Sequence, residues 1–214
     1  MIRIVIADDH AIVREGLKRI VTAAQDMAVV GEAADGAQVM QQVRESDFEV
    51  LVLDLSMPGR SGMELIKQVR SERPRLRILV LSMHEELQYA VRAIKSGASG
   101  YLSKESAPLQ LMQVLRKIAS GGAFISSDVA EQLALGSMLG SISAAHEKLT
   151  DREFEIFRLI AMGMSVTDIA VRLNLSAKTI STHKANLMQK MNLQNQSELI
   201  RYAIKHGVTE PLEP

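Results

Sequence analysis

The first 121 residues alternate between short apolar runs and segments of helical periodicity, and no other feature constrains the fold as strongly. Runs rich in β-branched residues predict strands at 2–7, 28–33, 50–54, 77–82 and 99–104. Apolar residues recur at helical spacing at 11–23, 36–45, 62–71, 86–96 and 108–120. Three of the strands are apolar almost throughout, as is typical of strands buried on both faces of a parallel sheet. The sequence therefore predicts an α/β, doubly wound, parallel five-stranded sheet over residues 1–121.

A different pattern begins at the glycine pair 121–122. Residues 126–137 predict one short helix inside a stretch rich in Gly, Ser and Ala, which we interpret as a semi-flexible linker over 122–148. Helical segments bounded by N-capping Ser or Thr residues or by glycine follow at 149–163, 165–175, 176–193 and 195–207. The sequence therefore predicts a second, all-α four-helix domain over 149–214.

Composition excludes several classes of protein. The chain has no cysteine, so disulfides and thiolate metal sites are impossible. It enters a strand-like run at Ile2 without the pattern of a signal peptide, and no apolar stretch approaches the roughly 18 residues that span a bilayer. We therefore expect a cytoplasmic protein with no membrane partner.

Acidic side chains follow the first and third predicted strands. Asp8 and Asp9 come directly after the first strand, and Asp54 ends the third. Ligands of open parallel sheets bind at the carboxyl ends of the strands, so we expect these carboxylates to converge there. Converging carboxylates repel one another unless a cation lies between them, and hard oxygen ligands suit Mg²⁺. Because Mg²⁺ commonly shares its coordination with phosphate oxygens, the cluster predicts phosphoryl chemistry with Asp54 as the nucleophile.

Two further side chains fall at the same edge of the predicted sheet. Lys104 ends the fifth strand and can pair with a phosphate as a point charge. Ser82 ends the fourth strand and can donate a hydrogen bond to a phosphate oxygen. Together with Mg²⁺, these groups would spread the stabilisation of a transferred phosphoryl group over its oxygens.

The order of these residues resembles the CheY-like receiver domain of bacterial two-component systems. The resemblance is carried by the acidic pair, by "LVLDLSMPG" around Asp54, by Ser82 and by "GYLSK" ending at Lys104. It implies a flavodoxin-like fold and phosphotransfer from a sensor histidine kinase to Asp54. It also implies a switch in which Ser82 moves toward the phosphate and Tyr101 swings inward.

The helical part carries a local positive charge although the whole chain is neutral. Residues 172–206 contain six Lys or Arg and one acid, Glu198. Such a stripe favours a polyanion such as DNA, while a solvated helix face is the alternative interpretation. The segments 165–175 and 176–193 have the length and apolar spacing of a helix-turn-helix. Small polar and basic residues share one face of the second helix and suit entry into a major groove, namely Lys178, Ser181, Thr182 and Ala185.

Residues 149–206 resemble the LuxR-type DNA-binding domain of NarL/FixJ-class response regulators. The match extends through "LTDREFEIFRLIAMGMSVTDIAVRLNLSAKTISTHKANLMQKM". The resemblance implies that the bases are faced by Ser181, Thr182 and Ala185. It implies phosphate contacts from Lys178, Thr179, His183 and Lys184, although His183 lies near the apolar side and could equally be packed in the core.

The combined prediction is a two-component response regulator that binds double-stranded promoter half-sites and forms a homodimer when Asp54 is phosphorylated. It is not expected to be an enzyme. One alternative is a magnesium-dependent phosphohydrolase, but such enzymes typically carry a second Asp where this chain has Ser56. The other is a DNA binder that works without phosphorylation, and the intact acidic, serine and lysine set argues against it.

Overall fold

The computed structural model describes residues 1–57, 62–83, 87–138 and 145–208, so predicted segments that include residues 86, 139–144 or 209–214 are described only in part. The chain divides into two compact units, Met1–Leu133 and Ala134–Pro214.

The first unit is built on a sheet of parallel strands. They are β1 (Ile2–Ala7), β2 (Met27–Ala33), β3 (Val50–Asp54), β4 (Arg77–Ser82) and β5 (Gly100–Ser103). Their spatial order is β2-β1-β3-β4-β5, so β1 and β3 are neighbours, with Ala7 opposite Leu53. All five residues of β3 are buried because the strand is central and covered on both faces. The predicted parallel five-stranded sheet is confirmed.

Helices cover both faces of this sheet. They are α1 (Ala11–Thr22), α2 (Gly36–Glu45), α3 (Gly62–Glu72), α4 (Leu87–Lys95) and α5 (Ala107–Ala119). The helices α1 and α5 contact each other, and both pack on alternate strand residues such as Ile6 and Leu81. The helices α2, α3 and α4 contact one another in series, as a doubly wound fold requires. The carboxyl ends of the strands are left for the loops that carry the polar residues.

The helix α6 (Ser127–Met138) confirms the short helix predicted at 126–137. The boundary between the two units falls inside it, after Leu133. In the part of the chain that the structure describes, no helix is both long enough and apolar enough to cross a membrane.

The second unit is helical, as predicted. It contains a 3-10 turn (Ala145–Lys148) and α7 (Asp151–Ala161), α8 (Val166–Arg172), α9 (Ala177–Met191) and α10 (Gln196–Lys205). A complete capping box starts α7, in which the Thr150 N–H donates to Glu153 at 2.8 Å and the Glu153 N–H donates to Thr150 Oγ1 at 3.3 Å. The helices enclose a core that includes Phe154, Phe157, Ile169, Ile180, Leu187 and Leu199.

Candidate functional site

The acidic residues converge where β1 and β3 end. Asp8 follows β1 and Asp54 ends the neighbouring β3, so the strand order brings the two side chains to the same edge. Both carboxyl side chains are 1% exposed, whereas that of Asp9 is 30% exposed. Potential ligand atoms of Asp8, Asp9, His10 and Asp54 all lie within 4.8 Å of one another. The convergence that the sequence led us to expect is present in the structure.

Lys104 places a positive charge between the two buried carboxylates. Its Nζ donates to Asp8 Oδ2 at 2.6 Å and to Asp54 Oδ2 at 2.8 Å. From the sequence we expected Lys104 to pair with a phosphate and the carboxylates to bind a metal ion. In the structure the lysine itself supplies part of the missing charge, from a position 96 residues beyond Asp8.

Burial and hydrogen bonding have opposite effects on the pKa values of Asp54 and Lys104. Burial raises the pKa of Asp54 above its ordinary value, and hydrogen bonds from Lys104 and from the Ser56 N–H offset this only in part. Burial on its own would lower the pKa of Lys104, but hydrogen bonds to Asp54 and Asp8 outweigh it and leave the pKa raised. Asp54 is thus a poorly solvated carboxylate, more basic than an exposed aspartate and better suited to act as a nucleophile.

Sequence reasoning missed two residues that hold the acidic loop. His10 Nδ1 lies 2.9 Å from Asp9 Oδ1, and the His10 N–H donates to Asp8 Oδ1 at 2.8 Å. Arg14, one helical turn later, donates to the backbone oxygen of Asp8 at 2.6 Å. The position of His10 directly after the acidic pair was the available signal, but only the turn between β1 and α1 directs its ring back toward the carboxylates.

The remaining predicted residues of this unit lie on β4 and β5. Ser82 ends β4 and is fully buried, and its carbonyl accepts a hydrogen bond from the Lys104 N–H at 2.8 Å. Asp54 lies opposite Leu81, so Ser82 stands one residue beyond the phosphoacceptor candidate on the neighbouring strand. Tyr101 is half-buried on β5 and borders a cavity of about 290 Å³ between α4, α5 and the start of α6.

The donor set fits a divalent cation of the magnesium type. The carboxylate oxygens of Asp8, Asp9 and Asp54 are hard ligands, and they are close enough to share one ion. Lys104 occupies only Oδ2 of Asp8 and of Asp54, while each Oδ1 accepts a backbone N–H. The more exposed Asp9 lies on the solvent side, where an ion would enter.

In the second unit, α9 presents an exposed polar face. Its residues are Lys178, Ser181, Thr182 and Ala185, all exposed. Ile180, Leu187 and Met191 are buried and fix the rotation of the helix. The Ser181 hydroxyl donates to the Ala177 carbonyl at 2.9 Å, and the Thr182 hydroxyl donates to the Lys178 carbonyl at 3.0 Å. These hydroxyls therefore present acceptor lone pairs outward.

The other predicted DNA contacts are half-buried on α9. Thr179 is half-buried with its Oγ1 2.8 Å from Ser176 Oγ, His183 is half-buried, and Lys184 Nζ donates to Gln196 Oε1 at 2.7 Å. Lys190, another cation of the positive stripe, has its Nζ 2.7 Å from the buried Glu153 carboxylate. At least one of the six cations counted in the stripe is therefore paired with an acid that lies outside residues 172–206.

Two family descriptions match the chain. Residues 4–116 match the response regulator receiver domain, and residues 147–203 match the bacterial regulatory proteins of the luxR family. Together the two matches span most of both units.

Comparison with known proteins and with solved structures also shows similarity to response regulators. The chain is 34% identical to the response regulator UvrY of Escherichia coli strain K12 over 97% of this chain and 96% of that protein. It is 38% identical to the oxygen regulatory protein NreC of Staphylococcus epidermidis over 97% of this chain and 99% of that protein. One similar solved structure is RcsB of Salmonella enterica serovar Typhimurium, bound to the promoter rprA in the presence of the phosphomimetic BeF3⁻. It matches with 32% identity and a TM-score of 0.65, over 94% of this chain and 98% of RcsB.

Proposed function

The chain belongs to the two-component response regulators with a LuxR-type DNA-binding domain, the NarL/FixJ class, and we propose on this basis that Asp54 is its phosphoacceptor. A sensor histidine kinase would phosphorylate Asp54 in the presence of Mg²⁺, and the modification would switch sequence-specific DNA binding and transcription. The observation that carries the proposal is the buried Asp54 carboxylate, hydrogen-bonded to Lys104 and beside Asp8 at the carboxyl end of β3. Such burial raises the energy of the free carboxylate and favours its reaction with phosphorus.

The chemistry follows from the residues around Asp54. One Asp54 carboxylate oxygen attacks the phosphorus of a phosphohistidine, the P–O bond forms as the P–N bond breaks, and the imidazole nitrogen leaves with the electron pair and then takes a proton. Asp8, Asp9 and Asp54 would hold Mg²⁺, which supplies positive charge to the phosphoryl oxygens. Lys104 can exchange an Asp54 oxygen for a phosphoryl oxygen while its bond to Asp8 keeps the ammonium in place. The Ser82 hydroxyl can donate to another phosphoryl oxygen.

The output would be a shift between existing conformations of the chain. We assign residues 1–121 to the receiver, 122–148 to the linker and 149–214 to the DNA-binding domain, with Tyr101 as the switch residue. Ser181, Thr182 and Ala185 would face bases, and phosphate contacts would come from Lys178, Thr179, His183 and Lys184. A homodimer of phosphorylated chains on paired half-sites would place two copies of α9 in successive major grooves. Because the proposed partner is DNA, we assign the protein to the cytoplasm.

The test compares wild type with Asp54→Asn, which removes the nucleophilic charge at nearly constant size. Asp47→Asn is the matched control, because its side chain is 75% exposed and lies outside the acidic cluster. Each protein is treated with a small-molecule phosphodonor and Mg²⁺, and intact mass and affinity for an operator selected in vitro are measured. We expect wild type and Asp47→Asn to gain one phosphoryl group and to bind DNA more tightly, and Asp54→Asn to do neither. Equal tightening in Asp54→Asn would overturn the proposal.

A further inference from the structure

A short segment after α5 runs along the free edge of β5. We call residues 123–126 the edge segment. Phe124 forms a parallel bridge with Gly100, in which the Phe124 N–H donates to the Ser99 carbonyl at 3.1 Å and the Tyr101 N–H donates to the Phe124 carbonyl at 3.0 Å. Because β5 ends the strand order, this bridge covers an edge that would otherwise expose unpaired backbone groups.

Side chains of the edge segment and of the first turn of α6 are packed against the core of the first unit. The half-buried Phe124 ring packs against the core beneath α1 and α5, with Lys117 Nζ 5.8 Å from its centroid. Val129, in the first turn of α6, is 3% exposed. The beginning of the segment that the sequence predicted as a linker is therefore packed on the sheet, and α6 starts from a fixed position.

Gly100 permits this close approach. A Cβ at position 100 would lie 3.1 Å from the Phe124 oxygen, 3.2 Å from Phe124 Cβ and 3.3 Å from Leu79 Cδ1. These distances are shorter than ordinary van der Waals contact, and Leu79 is held in the core. A methyl group at position 100 would therefore require the Phe124 backbone to shift by a few tenths of an ångström from β5, which would weaken the hydrogen bonds of the bridge.

We propose that the edge segment mechanically connects β5 to α6, so that a rearrangement at Tyr101 is transmitted to α6 through the hydrogen bond between the Tyr101 N–H and the Phe124 carbonyl. Tyr101, Phe124 and Val129 line the same cavity of about 290 Å³, which gives their side chains room to repack together. A change in β5 would alter the position at which α6 begins. The connection itself stands on these contacts, and its use in signalling rests on the proposed phosphorylation of Asp54.

The connection is tested by amide hydrogen exchange of the full chain without any phosphodonor. The variant is Gly100→Ala, and the matched control is Gly16→Ala in α1, where a Cβ would meet nothing within 4 Å. Weakening of the bridge should make the Tyr101 and Phe124 amides exchange about five- to tenfold faster, as expected for the loss of one or two hydrogen bonds. The Val129 and Ala130 amides, which donate to Ser126 at the start of α6, should also exchange faster. In Gly16→Ala, and at Val52 in all proteins, the rates should match those of wild type. Phe124→Ala provides a second variant that leaves Gly100 and Leu79 untouched and should show the same pattern.

The signalling role is tested with the same proteins, a phosphodonor and DNA. We expect Gly100→Ala and Phe124→Ala to take up the phosphoryl group as wild type does, but to lose most of the accompanying gain in DNA affinity. Unchanged exchange in both variants would overturn the connection, and faster exchange with a full gain in affinity would overturn its role in signalling. If wild type takes up no phosphoryl group, the proposed function fails, and the exchange comparison still decides whether the connection exists.

Discussion

Lys104 Nζ lies 2.8 Å from Asp54 Oδ2 in the interior of the first unit, although the two residues are 50 positions apart. The same ammonium group bonds Asp8, so one lysine neutralises part of the charge of two buried carboxylates. The lysine therefore contributes to folding as well as to the proposed chemistry, and the two roles can be measured separately.

Substitution of Lys104 by methionine should destabilise the first unit. Two carboxylates would remain buried without a cation, and breaking a buried ion pair costs about 3 kcal/mol in free energy of unfolding. Urea unfolding of the metal-free protein measures this loss, with the exposed Lys95→Met as control. The double variant Lys104→Met/Asp8→Asn should recover part of it, because one buried charge has been removed. Strictly additive losses would contradict the pairing.

Substitution of Asp9 by asparagine should weaken Mg²⁺ binding at least about tenfold, because one charged oxygen ligand is lost from the cluster. Asp9 is the most exposed of the three aspartates, so the fold should tolerate the change. Isothermal titration calorimetry of the full chain with MgCl₂ gives the affinity. Asp47→Asn should bind Mg²⁺ as wild type does, and an equal affinity in Asp9→Asn would exclude Asp9 as a ligand.

Substitution of Glu153 by glutamine should destabilise the second unit in a manner that depends on pH. Burial on its own would raise the pKa of Glu153, but hydrogen bonds from Lys190 and Thr150 outweigh it and hold the pKa below its ordinary value of 4.5. The stabilisation is therefore complete above about pH 5 and is lost as the pH falls through the lowered pKa. At neutral pH we expect a loss of about 1–2 kcal/mol in free energy of unfolding from the charged hydrogen bond to Lys190, because glutamine can still accept from the Thr150 N–H.

Urea unfolding followed through the NMR signals of Tyr202, at about pH 7 and about pH 3.5, measures this difference. The difference in free energy of unfolding between wild type and Glu153→Gln should be smaller at the lower pH. Lys190→Gln breaks the same ion pair from the other side and should show a loss with the same pH dependence. A difference in free energy of unfolding that does not change with pH would contradict a contribution from the Glu153–Lys190 ion pair.

Substitution of Lys178 by alanine should weaken binding to every DNA sequence. If Lys178 contacts a phosphate, log K should depend on log salt concentration with a slope smaller by about one. Fluorescence anisotropy with specific and random duplexes over a range of salt gives the slope. Lys95→Ala in the first unit is the charge-matched control. An unchanged slope would exclude a phosphate contact from Lys178.

Substitution of Thr182 by valine should instead change sequence discrimination. Valine keeps the shape and the methyl group but removes the outward acceptor lone pairs, so the ratio of specific to random affinity should fall by about five- to tenfold. The salt slope should stay unchanged, which distinguishes this effect from that of Lys178→Ala. An unaltered ratio would show that Thr182 does not read a base.

The sequence alone predicted the elements and the edge at which the polar residues meet. The spacing of apolar residues in strands and helices and the residue types at helix ends are local features of the sequence. The central strand β3 and the cap at Thr150 could therefore be predicted without knowledge of the packing. Because Asp8, Asp54, Ser82 and Lys104 all lie at the carboxyl ends of strands of a parallel sheet, their convergence at one edge followed from topology.

The tertiary structure decided which groups actually bond. Only in the packed structure does Lys104 bond to Asp8 and Asp54. Likewise, Lys190 pairs with the buried Glu153, and Phe124 forms a bridge with β5. None of these pairs is marked by local spacing, because each joins groups that are distant along the chain and depends on how far a side chain reaches across an interface. Periodicity specifies which face of an element is buried, whereas the partners of its charged and edge groups are set only when the elements pack together.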